Sequence, residues 1–285
     1  MAVREWQDVD GDWTNTANWS DATVPVTDDD VVIGSGTQDI TTNIDQNTVS
    51  LASLKVGENY TGKIGTSSSK LIINATDFNF SGMGTSNYVK GEFVTVTVID
   101  GATSTTMLDI EGYDGSTPID TDGITTLRVL GGRGTVNISA GALAAIEMIG
   151  ATRATVTVES DVTALATIVI DSGDVETATN IATKATCYGG TLTVTGSATA
   201  AEIELYDGGS VDYNSSGTIT TLDVFGGTFS LLDNTAASVT ITNSTMYEGS
   251  TLRLDNALQN VTLANPMTVQ GGDLRLPPGS QITLG

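Results

Sequence analysis

The sequence predicts an all-β fold, a single-stranded parallel β-helix (β-solenoid) of about a dozen coils with an N-terminal cap or arm. Three observations lead there: strand-type alternation, a glycine repeat of coil length, and a chemically distinct N-terminal segment. Apolar residues alternate with polar ones, and Thr, Val, Ile and Ser dominate, which is the pattern of half-buried strands. Gly pairs and clusters of Asn, Ser and Asp punctuate the pattern as turns do. Helix-like windows such as Gly141 to Met148 are short.

The repeat decides the architecture. Leu127-Arg-Val-Leu-Gly-Gly132 matches Leu222-Asp-Val-Phe-Gly-Gly227, with looser copies at Ile203–Gly209 and Thr186–Gly190. Glycine recurs at 132, 150, 173, 190, 209, 227, 249 and 272, in irregular steps of roughly coil length. A short strand follows several of these glycines, as in Thr191-Leu-Thr-Val-Thr195. A coil of about 20 residues cannot bury its own apolar face, whereas stacked coils do so by forming ladders of Val, Ile and Leu about 4.8 Å apart. Residues 31–285 then form the β-helix, right-handed by the general preference of such coils. The irregular steps argue against a strict hexapeptide or nonapeptide repeat. Asp-Gly dipeptides at Asp10, Asp100, Asp114, Asp122 and Asp207 are the argument for the rival, a hairpin-rich sandwich.

Residues 1–30 hold all three tryptophans, Trp6, Trp13 and Trp19, and a run of aspartates. They are read as a cap or docking arm, because an open solenoid end is a sheet edge. At the other end Leu276-Pro-Pro-Gly279 is expected to stop the last coil, since proline donates nothing to the ladder.

The chemistry available is narrow. There are 34 acidic and 11 basic side chains, net −23, which repels nucleic-acid phosphates and anionic lipid heads. Neither nucleic acid nor membrane is an expected partner. Met1 to Trp6 lead into acidic residues with no apolar stretch, so no signal peptide is expected. Histidine is absent, which removes histidine-based triads and histidine metal sites. Carboxylate pairs remain, Glu202 with Glu204 or Asp207 with Asp223, but so many acids on one chain place some side by side by chance. No catalytic residue is assigned. The lone Cys187 reads as a small core residue. Asp8, Asp10 and Asp12 resemble a fragment of a calcium loop without its distal glutamate, so Ca²⁺ is a weak candidate and no other cofactor is expected. Asn-x-Ser/Thr triplets, such as those at Asn18 and Asn243, read as coil corners.

Alternation also orients the residues that precede the corner glycines. With Leu127 and Val129 inward, Leu130 points out, and the same logic turns out Ile149, Tyr188, Tyr206, Phe225 and Tyr247. Stacking aligns them into an outward stripe, either a subunit interface around a threefold axis or side chains that cover one another.

The stretch Gly11-Asp-Trp13 … Asn18-Trp19 … Pro25 … Asp29-Asp30-Val31-Val32-Ile33 resembles the segment that leads into the first coil of bacterial surface β-helices and of structural β-helix proteins of tailed bacteriophages. The resemblance is confined to this lead-in. It implies a non-enzymatic virion protein, first a capsid decoration or cement protein. Such a protein docks on the major capsid protein or another virion protein, forms a homo-oligomer (a trimer by preference) and sits on the virion surface after assembly in the host cytoplasm. The alternatives are a tail-fibre or tailspike segment that binds or cleaves polysaccharide, and an extracellular bacterial adhesin. In the decoration reading Trp6, Trp13 and Trp19 grip the shell.

Overall fold

The computed structural model of the protein describes residues 1–99, 106–112, 123–150, 153–163, 165–235, 238–255 and 260–276. Pro277, Pro278 and Gly279, expected to end the last coil, lie outside the described residues. The chain is all-β and forms a parallel β-solenoid of about ten turns. Among the described residues the one helical piece is the turn Thr16–Asn18. The strand pairings there are parallel, and antiparallel contact is confined to two isolated bridges, Trp6–Trp19 and Thr66–Ser69. That excludes the hairpin-rich sandwich. The window from Gly141 to Met148 lies in the strand Thr135–Met148.

The chain forms two compact units, Met1–Ala145 with Thr152–Thr157, and Ile146–Ala151 with Val158–Gly285. Residues 1–30 belong to the first unit together with the coils that follow. Their strand Val3–Glu5 pairs in parallel with Asp30–Gly36.

In the first unit one ladder runs from Val3–Glu5 through Asp30–Gly36, Asp45–Tyr60, Leu71–Phe80 and Phe93–Val98 to Ile124–Val129. Val31, Leu54, Phe78, Val96 and Leu127 share one register and are fully buried. A second ladder joins Leu71–Phe80, Asn87–Gly91, Met107–Gly112 and the start of Thr135–Met148.

In the second unit the first ladder comprises Thr167–Ile170, Lys184–Cys187, Ala200–Leu205, Ile219–Val224 and Ser238–Met246. Its inner column is Ile170, Cys187, Leu205, Val224 and Met246, all buried. The second ladder carries Val175, Leu192, Val211, Phe229 and Leu252 in register. Each such side chain withdrawn from water contributes about 1.5–3 kcal/mol, and none can do so until the next coil covers it. Cys187 is one rung of this core, where burial pushes its thiol up to about 11, so the core reading of this cysteine holds.

Tight glycine corners join the two ladders. Gly190 has φ +68, and the Gly173 carbonyl oxygen stands 2.1 Å from where a β-carbon would be. Only glycine satisfies both the backbone conformation and the approach of the coil below.

Candidate interaction site

The first ladder of the second unit positions a row of side chains on its outer surface. Tyr188, Tyr206, Phe225 and Tyr247 each follow an inward residue: Cys187, Leu205, Val224 and Met246. Their backbone N–H groups donate to the carbonyls of Ile170, Cys187, Leu205 and Val224 at 2.8, 2.9, 2.8 and 3.0 Å, so the row keeps the register of the ladder. The four rings stack with centroid distances of 4.8, 4.9 and 4.6 Å and interplanar angles of 28°, 19° and 20°. That spacing is the rise of one coil on the next. Tyr206, Phe225 and Tyr247 are half-buried by their neighbours, whereas Tyr188, at the end of the stack, is 49% exposed.

The stripe expected from the sequence is therefore present in part. Ile149 is exposed on the same row, but Asp171 occupies the rung between it and Tyr188: Asp171 N–H donates to Met148 O at 2.9 Å, as Tyr188 N–H does to Ile170 O. The stripe is interrupted there because that coil carries a carboxylate before its corner. Leu130 is also exposed and follows Val129 in the same manner, within the first unit.

Charged side chains lie two and four residues earlier on the same strands. Lys184 Nζ holds Glu202 at 3.0 Å and Glu204 at 2.6 Å. The bond to Glu204, ahead of that to Glu202, raises the lysine above its usual range. Tyr206 Oη donates to Glu204 at 3.3 Å, and loss of water around the ring together with that carboxylate raises the phenol. Glu202 and Glu204 thus serve as an ion-paired set around one lysine. Asp223 is in register with Glu204, whereas Asp207 sits in the corner after Leu205, so the second expected pair is not made of rung neighbours.

The second ladder of this unit carries an acid that the sequence does not single out. Asp212 lies between Thr193 and Ser230, and its carboxyl is raised by burial first and by Asp233 second. Only the register reveals this neighbourhood. The first unit has a denser network: Lys70 contacts Asp109 at 2.6 Å and Glu111 at 3.2 Å, and Lys90 contacts Glu111 at 2.5 Å.

In the N-terminal segment the tryptophans are core, not surface. Trp6, Trp13 and Trp19 are 5%, 0% and 2% exposed and pack edge to face at 5.2 and 5.0 Å. This corrects the expectation that their side chains grip a partner, since rings already covered have no area left to bury. Asn18, fully buried, explains the Asn-Trp of the lead-in motif. Its carbonyl accepts from the N–H groups of Val9 and Asp10, and its amide donates to Asp10 Oδ1 and Asp12 O, all within 3.0 Å.

The same network uses the aspartates expected to hold calcium. Asp10 accepts from Asp12 N–H, Asn15 and Asn18, and Asp12 from Thr14 and Asn43. These N–H donors hold both carboxyls below the usual range, Asp10 mainly through the Asp12 amide and Asp12 mainly through Asn43. Asp8 turns to the N–H groups of Thr37 and Gln38. The three carboxylates face different donors. Among the described residues no group of three or more His, Cys, Asp or Glu side chains is arranged around a common metal position.

A surface depression of about 160 Å³ lies in the first unit beside Glu92 and Phe93. Among the described residues no helix is long and apolar enough to cross a membrane. Comparison with protein-family models, with curated proteins and with solved structures finds no match.

Proposed function

We propose that the protein is a non-enzymatic structural component of a tailed-phage particle, a decoration or cement protein on the capsid shell. It acts through protein–protein contact along the aromatic ridge. The ring stack carries this reading. A sugar-binding surface offers the faces of its aromatic rings, but here the rings stack on one another and, between the two ends of the stack, the ridge offers edges. An apolar ridge of that kind fits into a complementary protein groove. The lead-in motif of residues 11–33 supports the phage assignment, and the net charge of −23 favours high solubility and a basic partner surface.

In this reading residues 1–30 cap a right-handed solenoid. Ser20 N–H donates to Glu5 O, and Gln7 N–H to Asn18 O. These bonds cover the Glu5 end of the edge that faces away from the next strand, and an open edge would template aggregation. With the tryptophans committed to the interior of the cap, contact between copies falls to the ridge. Three copies meet ridge to ridge around a threefold axis, and no catalytic group or cofactor takes part.

Gold-labelled antibody on purified particles tests the location: label over the shell supports the decoration role, and label confined to the tail tip rejects it. Depolymerisation of surface polysaccharide by the pure protein would reject the non-enzymatic half.

A further inference from the structure

The aromatic row of the second unit has one rung without a ring. Each rung from Tyr188 to Tyr247 is filled by a planar ring at 4.6 to 4.9 Å spacing. On the other side of Tyr188 the next rung carries Asp171, whose short side chain leaves the outer face of the tyrosine open. One rung further stands Ile149, 39% exposed. Ile149 and Tyr188 are thus two rungs apart, about 9.6 Å along the stack, with room between them for one planar group.

The geometry points to a slot for a single arginine side chain of a protein partner, walled by the Tyr188 ring face and Ile149 and floored by the Asp171 carboxylate. This inference rests on the reading of the ridge as a partner surface and names the chemistry of one contact on it.

Charge and shape select the occupant. The Asp171 carboxylate has no hydrogen bond or ion pair among the described residues, although its neighbour on the next coil, Tyr188, is aromatic and exposed. The cations of this unit are engaged elsewhere: Lys184 with Glu202 and Glu204, Arg253 with Asp255, Arg275 with Asp273. A guanidinium is flat, stacks on a phenol face and presents a fork that matches a carboxylate, and these are the three properties the slot asks for. An ammonium has the charge without the plane. The net charge of −23 favours a cationic partner.

The test uses the full chain and three small probes: the Nα-acetyl N-methylamides of arginine, lysine and citrulline. Saturable binding is read by NMR, with the ring current of Tyr188 moving the arginine δ-methylene protons upfield. The lysine and citrulline probes are expected to bind at least about tenfold more weakly, and Asp171→Asn to weaken the arginine probe to the same degree. Asp171→Tyr fills the slot with a fifth ring and abolishes binding, with a thermal melt as its folding control; should that variant not fold, Asp171→Asn decides. Absence of saturable arginine binding, or equal binding by the lysine probe or by Asp171→Asn, overturns the slot. Neither result depends on the oligomer, so failure of the slot is separable from failure of the ridge. The ridge itself fails if Tyr206→Ser/Phe225→Ser leaves association unchanged.

Discussion

The ring of Tyr206 lies face to face with that of Phe225, 4.9 Å away and tilted by 19°, so each removes from solvent the surface that the other would offer. Residues that point away from the core are thereby half-buried without any inward packing. Four coils are joined on the outside as well as the inside, and the same rings form both a brace and a ridge.

Replacing both central rings separates these roles. Tyr206→Ser/Phe225→Ser breaks all three stacking contacts, at about 0.5–1.5 kcal/mol each, and lowers stability by about 2–4 kcal/mol. The variant is expected to remain folded and to lose self-association in light scattering. A stability loss without any change in mass would leave only the brace.

Asn18→Ala removes four part-buried hydrogen bonds from the centre of the N-terminal segment and leaves their partners on Val9, Asp10 and Asp12 unsatisfied. We expect a loss of about 2–4 kcal/mol. All three tryptophans lie within residues 6–19 and are buried. Intrinsic fluorescence therefore reports this segment alone, and a red shift that precedes the loss of β-sheet circular dichroism is the expected signature.

Acid acts on the same segment through Asp29. Burial by itself raises this carboxyl, but the Arg4 guanidinium at 2.8 Å and the N–H groups of Ala2 and Val26 outweigh it and hold the carboxyl low. A depressed folded pKa contributes stability above the unfolded value of about 3.9 and loses it as pH falls through the folded value. The tryptophan signal is thus expected to red-shift in acid, below about pH 4. Asp29→Asn leaves Arg4 without its buried partner and costs about 3 kcal/mol at neutral pH, while flattening the acid transition. An unchanged acid midpoint in that variant would assign the transition to other carboxylates.

Two glycines distinguish strain from collision. Gly190 and Gly196 have nearly equal φ, +68 and +69, yet a β-carbon meets the Gly173 carbonyl oxygen at 2.1 Å in the first case and nothing within 4 Å in the second. Gly196→Ala is expected to cost about 1–2 kcal/mol, the left-handed backbone penalty alone. Gly190→Ala adds a steric term and is expected to cost about 3 kcal/mol or more. Urea melts of the two variants measure the difference directly, and equal midpoints would show that the corner relaxes freely.

The ladder is legible in the sequence because its signals are local. Alternation around Leu127 and Val129, the copy at Leu222 and Val224, and the recurrent glycines each depend on a few neighbouring residues. The same arithmetic turns Leu130, Ile149 and Tyr188 outward, and they are exposed. The tryptophans defeat it because their burial depends on Asn18 and the turn Thr16–Asn18 folding the chain back on itself, which no periodicity encodes. Asp171 and the Asp212–Asp233 neighbourhood are hidden for another reason. Each becomes meaningful only when coils of unequal length are set in register.

That inequality has its own geography. Across the glycine corner the link between buried columns keeps nearly the same length in every coil of the second unit, as from Cys187 to Leu192 and from Leu205 to Val211. The return path is longer and grows along the unit, little between the links Val175 to Cys187 and Leu192 to Leu205, and by about four residues in the link Phe229 to Met246. One flank of each coil is held to a fixed length and the other accepts additions. For an engineer this unit is a ruler with a smooth edge and a free edge: peptides can be grafted at about 4.8 Å intervals along the return path while the aromatic row keeps its alignment.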